Sequence, residues 1–200
     1  MTSAEKRDAI RQIRDEVLAL SSAPLFAYRT ENGYQPVIGE GSVDARIMLI
    51  GEAPGRNEAK TGKPFCGAAG KTLDTLLASI GIPRESVYIT NIVNDRPQEN
   101  RDPTPEEIAA YGPFLDRQIA VIAPRVIVTL GRYSMQYVMR KFGLEAILEP
   151  ISRAHGKNYE AQASYGPIHI VPQYHPAAAI YNRALIPTLA EDFKTITHFV

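Results

Sequence analysis

The sequence predicts an α/β domain: a parallel sheet of four strands covered on both faces by helices. Three observations predict it. Short apolar runs alternate four times with helical stretches. The runs are apolar throughout rather than alternating with polar residues, as in strands buried on both faces. No internal repeat, low-complexity tract or linker divides the chain, and its 200 residues suit one domain spanning 1–200.

Each element has its own signal. From Ser3 to Leu20, the residues Ile10, Ile13, Val17 and Leu20 recur on one face of an amphipathic helix. Residues 21–44, rich in Pro, Gly, Asn and Tyr, read as a long irregular segment, a type that is usually functional or draped over a core. ARIMLIG, ending at Gly51, has the profile of a buried parallel strand and opens the α/β core of residues 45–200. A helix over Gly67–Ile80 follows, stopped by Gly81 and Pro83. SVYITN is the second strand, with Asn91 at its C-terminal end. Thr104, Pro105 and Glu107 form a capping-box start for a helix running to about Ile122. RVIVTLG is the third strand and Arg132–Lys141 its helix. PIHIVPQYHP supplies the fourth strand, and one last helix is expected from about Arg183 to Phe199.

Composition narrows the function classes. Lys plus Arg and Asp plus Glu are each 22, so the formal net charge is zero. That argues against a chain coated with basic charge, while leaving room for local basic patches. An apolar fraction of 44% with 22% charged residues is that of a globular chain, not a disordered one. No apolar run approaches the roughly 20 residues needed to span a bilayer. The first residues, MTSAEKRDAI, have no signal-peptide core. A single cysteine, Cys66, excludes an intramolecular disulfide and any site built from several thiolates. The expectation is a cytoplasmic, disulfide-free domain.

In open α/β sheets, ligands bind beyond the C-terminal ends of the strands. Those ends carry Glu52 to Glu58, Asn91 to Arg101, Gly131 to Tyr133 and Tyr174 to Tyr181. The first loop, GEAPGRNEAKTGKPFCGAAG (residues 51–70), is rich in glycine, so its backbone bends sharply and can approach a ligand closely. A phosphate-binding loop is the plain alternative, but neither the P-loop nor the dinucleotide pattern is matched, and Glu52 and Glu58 are awkward beside phosphate. Phe65 is either core or a flat stacking surface. The second loop, NIVNDRPQENRDP, offers Arg96 and Arg101 with Asn94, Gln98 and Asn100, a set suited to phosphates or simply to solvent. Asn91 ends a buried strand, so its amide either ties down a loop or reads a ligand edge. His175, fixed by Pro176, is structural or catalytic, and the sheet edge it shares with Glu52 and Asn91 raises the second reading. His155, His169 and His198 show no such convergence. No His or Cys pair has zinc-ligand spacing and no Gly-x-Ser-x-Gly elbow occurs, so no metal site is expected and a serine hydrolase is disfavoured.

Taken together, GEAPGRNEAKTGKPFCGAAG, ITNIVNDRPQENRDPTPEEI, VIVTLG and PQYHPAAAIYNRALIPTLAEDF resemble the family-four uracil-DNA glycosylases, over about Gly39 to Phe193 and in that family's order and spacing. The resemblance implies a three-layer α/β/α fold with a central four-stranded parallel sheet. It also implies a monofunctional glycosylase of DNA repair, a hydrolase that flips uracil out of DNA and cuts its N-glycosidic bond to leave an abasic site. On that resemblance Phe65 stacks on the flipped base, Asn91 hydrogen-bonds its edge and His175 contacts O2. The backbone of Ala53 and Gly55 helps hold the pocket. Ala53 stands where some other uracil glycosylases carry a water-activating Asp, so Glu52 and Glu58 share the sugar-side and water-orienting roles. The loop after His175 would wedge into the duplex, with Arg96, Arg101, Tyr181 and Arg183 as DNA contacts.

The chain departs from the family at one group. Family-four enzymes usually hold a four-iron cluster on four cysteines. Those positions fall in SSAPLFAYR, at Asp95 and at Tyr111, none of them Cys, and Cys66 is at none of them. No cofactor is therefore expected. Leu25, Phe26, Tyr28 and Tyr111 should pack in its place, with Asp95 taking a hydrogen bond or a nearby cation. Tyr181 is a second departure, replacing an arginine common in the wedge loop. The implied partner is uracil-containing DNA, bound by a monomer without a membrane. Two other readings are a glycosylase for hypoxanthine, xanthine or another deaminated base, and a non-catalytic DNA-binding relative. The joint presence of Glu52, Glu58, Phe65, Asn91 and His175 favours the enzyme over the binder.

Overall fold

The computed structural model describes residues 1–199. In chain order the elements are α1 (Ser3–Ala19), α2 (Phe26–Glu31), β1 (Glu40–Gly41), β2 (Ile47–Gly51), α3 (Arg56–Thr61), α4 (Ala68–Ser79), β3 (Tyr88–Asn91) and α5 (Pro105–Ile122). They continue with β4 (Val126–Leu130), α6 (Arg132–Lys141), α7 (Ile151–Ala154), β5 (Tyr159–Ala163), β6 (Gly166–Gln173), α8 (Ala178–Tyr181) and α9 (Ile186–Lys194). The sheet order is β1-β3-β2-β4-β6-β5. The four expected strands are its parallel centre, and β1 and β5 add antiparallel edges. The sheet thus has six strands rather than four. β5 escaped the sequence reading because YEAQA is half-exposed and carries no apolar run.

Side chains alternate across the sheet and feed two cores. Met48, Ile50 and Ile127 pack with Val17, Leu115 and Val138 of α1, α5 and α6. Leu49, Val128 and Val171 pack on the other face with Leu73 and Leu77 of α4 and Phe193 of α9. Both faces are therefore covered, giving the three layers.

Thr104 forms the expected capping box on α5, its hydroxyl accepting from the Glu107 N–H while the Glu107 carboxylate takes the Thr104 N–H. The segment 21–44 is less irregular than expected, since it contains α2 and β1. The last helix is a correction: a 3-10 turn spans Arg183–Leu185, α9 starts at Ile186, and another 3-10 turn covers Thr195–Phe199. Pro187 accounts for the break, because its missing N–H and fixed φ suit a helix's first turn and not its interior.

The chain runs β2 to β3 on one side and β4 to β6 on the other, so the direction of winding reverses between β2 and β4. Strand ends diverge at such a point and leave a crevice. Glu52 follows β2 and Arg132 follows β4, so the crevice opens among the loops singled out from sequence.

Candidate active site

A cleft of about 450 Å³ lies at that crevice. Glu52, Ala53, Gly55, Glu58, Phe65, Asn91 and His175 all line it, with Arg101 and Tyr181 at its margin. Residues more than a hundred positions apart thus meet in one cavity.

Close backbone approach builds its floor. Gly51 pairs with Asn91 across β2 and β3. A Cβ at Gly51 would collide with Asn91 Oδ1 and lie 2.8 Å from the Phe65 ring, so only glycine leaves both side chains in place. Phe65 itself has φ 49°, an unusual left-handed conformation for a bulky residue. Its ring is 6% exposed and stacks beside His175, with centroids 5.6 Å apart at 28°. Phe65 is therefore core on one face and cleft wall on the other. Asn91 is 2% exposed and lines the cleft, and its side-chain amide takes no hydrogen-bond partner among the described residues.

The carboxylates differ in setting. Glu58 Oε1 accepts from the backbone N–H of Cys66 at 3.0 Å and of Gly67 at 2.8 Å, which closes the loop carrying Phe65. Gly70-Lys71-Thr72 is the tail of a P-loop signature, but it lies inside α4, and Phe65 stands where the leading glycine would be. Glu58 fills the place an anion would take before that helix. Glu52 Oε1 accepts from the Tyr133 N–H at 2.9 Å, at the start of α6. Burial pushes the Glu52 carboxyl above its ordinary range, against the pull of the Tyr133 N–H. Gly131, at φ 108°, lets α6 begin directly over Glu52, since a Cβ there would strike the carboxylate.

His175 is held in one tautomer. Its Nδ1 accepts from the Ala177 N–H at 3.1 Å, which leaves the proton on Nε2. Desolvation, opposed only by the Glu58 charge, pushes its pKa down to about 4. The ring is a neutral donor at neutral pH.

The DNA-contact candidates separate. Tyr181 is 90% exposed beside the cleft, with Ile180 also exposed next to it. Arg183 is exposed in its turn and stands outside the cleft lining. Arg101 reaches the rim but is held by Glu107 at 2.6 and 3.0 Å. Arg96 is a correction: it is 8% exposed and turned inward, donating to Asn100 Oδ1 at 2.7 Å and to the hydroxyls of Tyr28 and Tyr34 at 3.0 and 3.1 Å. A guanidinium so occupied braces its own loop instead of facing phosphate. Sequence reading placed Arg132 and Tyr133 at a strand end but gave them and Asp102 no role; Asp102 lines the cleft and accepts from Arg132 Nη2 at 2.6 Å and from the Tyr133 hydroxyl at 3.1 Å. Their only sequence signal is the position of Arg132 and Tyr133 just after the third strand.

The positions that the resemblance assigns to cluster cysteines do not fit an iron–sulfur group. Asp95 and Tyr111 are fully buried and joined by a 2.6 Å hydrogen bond, and Arg29 pairs with Asp95 at 3.0 Å. Oxygen ligands beside a guanidinium are the wrong chemistry for such a cluster. Leu25 and Tyr111 lie in one core with Phe26 against it, and Asp95 takes both the hydrogen bond and the cation. Tyr28 is drawn instead toward Arg96.

Residues 38–198 match the model of the uracil DNA glycosylase superfamily. A type-4 uracil-DNA glycosylase of Sulfurisphaera tokodaii is 46% identical over 94% of this chain and 84% of its own length. One from Archaeoglobus fulgidus is 43% identical over 94% and 92% of the two chains, and one from Thermotoga maritima 37% identical over 98% and 96%. With the winding reversal, the cleft and these matches in agreement, the chain belongs to the uracil DNA glycosylase superfamily.

Proposed function

We propose that this protein excises uracil from DNA by hydrolysis of the N-glycosidic bond, leaving an abasic site. The observation that carries this reading is the convergence of a free amide, an aromatic wall, a neutral imidazole and two carboxylates on one cleft. A base stacked in a duplex is out of reach, so the nucleotide is flipped into the cleft at a cost of a few kcal/mol. Tyr181 and Ile180 fill the gap it leaves, a role that their exposure supports. Phe65 stacks on the base. Uracil presents an N3–H donor beside an O4 acceptor, and the one amide of Asn91 satisfies both. Cytosine reverses that order and would leave both amide groups unpaired.

Bond breakage between C1′ and N1 builds negative charge on the base, largely on O2, and positive charge on the sugar. The Nε2–H of His175 donates to O2 as that charge grows, an effect worth about 3 kcal/mol for a well-placed donor. Glu58 spends one oxygen on the loop and adds negative charge on the cleft wall. Glu52 is the better group to orient water, because burial makes its carboxylate the readier proton acceptor. The oxygen of that water joins C1′ and the departing base takes up a proton.

We also propose that the enzyme works without an iron–sulfur cluster, as one domain over 1–200, and as a cytoplasmic monomer. No described helix is long and apolar enough to cross a membrane. A fluorescent uracil oligonucleotide, incubated with the protein and then cleaved with alkali, tests the activity in one gel, with hypoxanthine and xanthine strands beside it. Strand breakage at uracil supports the reading, and intact uracil strands overturn it. Glu52→Gln should leave DNA binding in place and lower the single-turnover rate by about 100-fold. Iron analysis and absorbance near about 400 nm test the cofactor reading, and stoichiometric iron would overturn it.

A further inference from the structure

We propose that Arg29 and Asp95 form a metal-free clamp that positions the rim of the uracil cleft, so that the N-terminal segment is a working part of DNA engagement. The proposal rests on the functional reading above. Its basis is a polar knot joining four parts of the chain. Arg29, on α2, sends Nη1 to both oxygens of Asp95 at 3.2 and 3.0 Å and to the Val17 carbonyl at 3.1 Å. Its Nη2 donates to the Leu18 carbonyl at 2.8 Å, so the guanidinium also satisfies the open carbonyl end of α1. Tyr111 on α5 donates to the same carboxylate at 2.6 Å.

The clamp is reciprocal. Arg29 reaches from the N-terminal segment into the loop after β3, and Arg96 reaches from that loop back to Tyr28 and Tyr34. Between them Val37 and Asn94 exchange hydrogen bonds: the Val37 N–H donates to the Asn94 carbonyl at 2.7 Å, and Asn94 Nδ2 to the Val37 carbonyl at 3.0 Å. The loop so gripped continues into Pro97 and Asn100 to Pro103, which line the cleft. Its far end is joined to the start of α6 by the exposed pair of Asp102 and Arg132. Anchored at both ends, the rim is held ready before DNA arrives, which lowers the ordering cost of binding.

The energetics dictate the test. Removing one member of a buried ion pair strands the other charge, while replacing the whole group by apolar residues of similar volume is often neutral for stability. Single variants at Arg29 or Asp95 therefore confuse folding with positioning. The triple variant Arg29→Met, Asp95→Leu, Tyr111→Phe keeps the packing and deletes the directional bonds. Its melting temperature should stay within about 5 °C of the parent. Its KM for uracil-containing duplex should rise about tenfold, while the single-turnover rate at saturating enzyme changes by less than about threefold. Amide hydrogen exchange across residues 97–103 should quicken in the same variant without DNA. An unchanged KM and unchanged exchange in a folded triple variant would reduce the knot to ordinary packing and overturn the proposal. A triple variant that melts far below the parent would overturn it too, since the knot would then hold the fold itself. If the parent excises no uracil, the functional reading fails, and exchange across the loop still decides whether the clamp exists.

Discussion

Acid should unfasten this protein in part through His175. Its ring faces the cleft, and desolvation holds its folded pKa at about 4, against the ordinary 6.5. Between those values the unfolded chain binds a proton that the folded one refuses, so stability rises with pH across that window. The contribution is fully present above 6.5 and is lost as pH falls toward 4. At about 1.4 kcal/mol for each tenfold change, the whole interval is worth at most about 3.5 kcal/mol, an upper limit because the ring is only partly buried. Replacing the ring by an amide removes the titration. Urea midpoints should be measured for the parent and for His175→Gln at about pH 7.5 and about pH 4. The parent should lose more stability than the variant between those conditions, by up to about 3.5 kcal/mol. The single-turnover rate of the parent should also show no histidine ionisation near 6.5, since the ring stays neutral at that pH. Equal acid sensitivity in the two proteins, or a rate that tracks a histidine near 6.5, would refute the reasoning.

His175→Ala should lower the single-turnover rate about 100-fold with much less effect on DNA binding, because the donor acts on charge that develops only in the transition state. A rate within about twofold of the parent would make His175 structural. Asn91→Asp should weaken uracil excision by about 1–3 kcal/mol and admit some cytosine, because a protonated carboxyl can present the reversed donor and acceptor order. Undiminished uracil cleavage would remove Asn91 from base recognition. Gly51→Ala should cut activity about 100-fold while the protein still folds, as the added methyl displaces the Asn91 amide and the Phe65 ring together. Parental kinetics in that variant would show the cleft floor to be compliant. Tyr111→Ala should cost about 3–5 kcal/mol and lower the melting temperature by about 10 °C, since the ring is fully buried and its hydroxyl holds Asp95. An unchanged melting curve would mean that the surroundings collapse to fill the space.

Much of this molecule is written in local pattern. The four parallel strands are apolar runs because both faces are covered, and the capping box at Thr104 needs only residues three apart. Glycine density and the order of motifs point to the cleft-lining loops, since the strand ends of such a sheet all open on one edge. What the sequence left open was decided by partners distant in the chain. Arg96 read as a phosphate contact because its neighbours are polar, but two tyrosines more than sixty positions away turn it inward. Asp95 needed a cation or a hydrogen bond, yet nothing local names Arg29, 66 residues earlier, as its partner. The different settings of Glu52 and Glu58 likewise come from the start of α6 in one case and the turn at Gly67 in the other. Strand and helix periodicity is set by a residue's near neighbours, and sequence shows those directly. The protonation, reach and vacancy of a side chain are set by whatever the completed fold packs against it, and only the tertiary structure decides that.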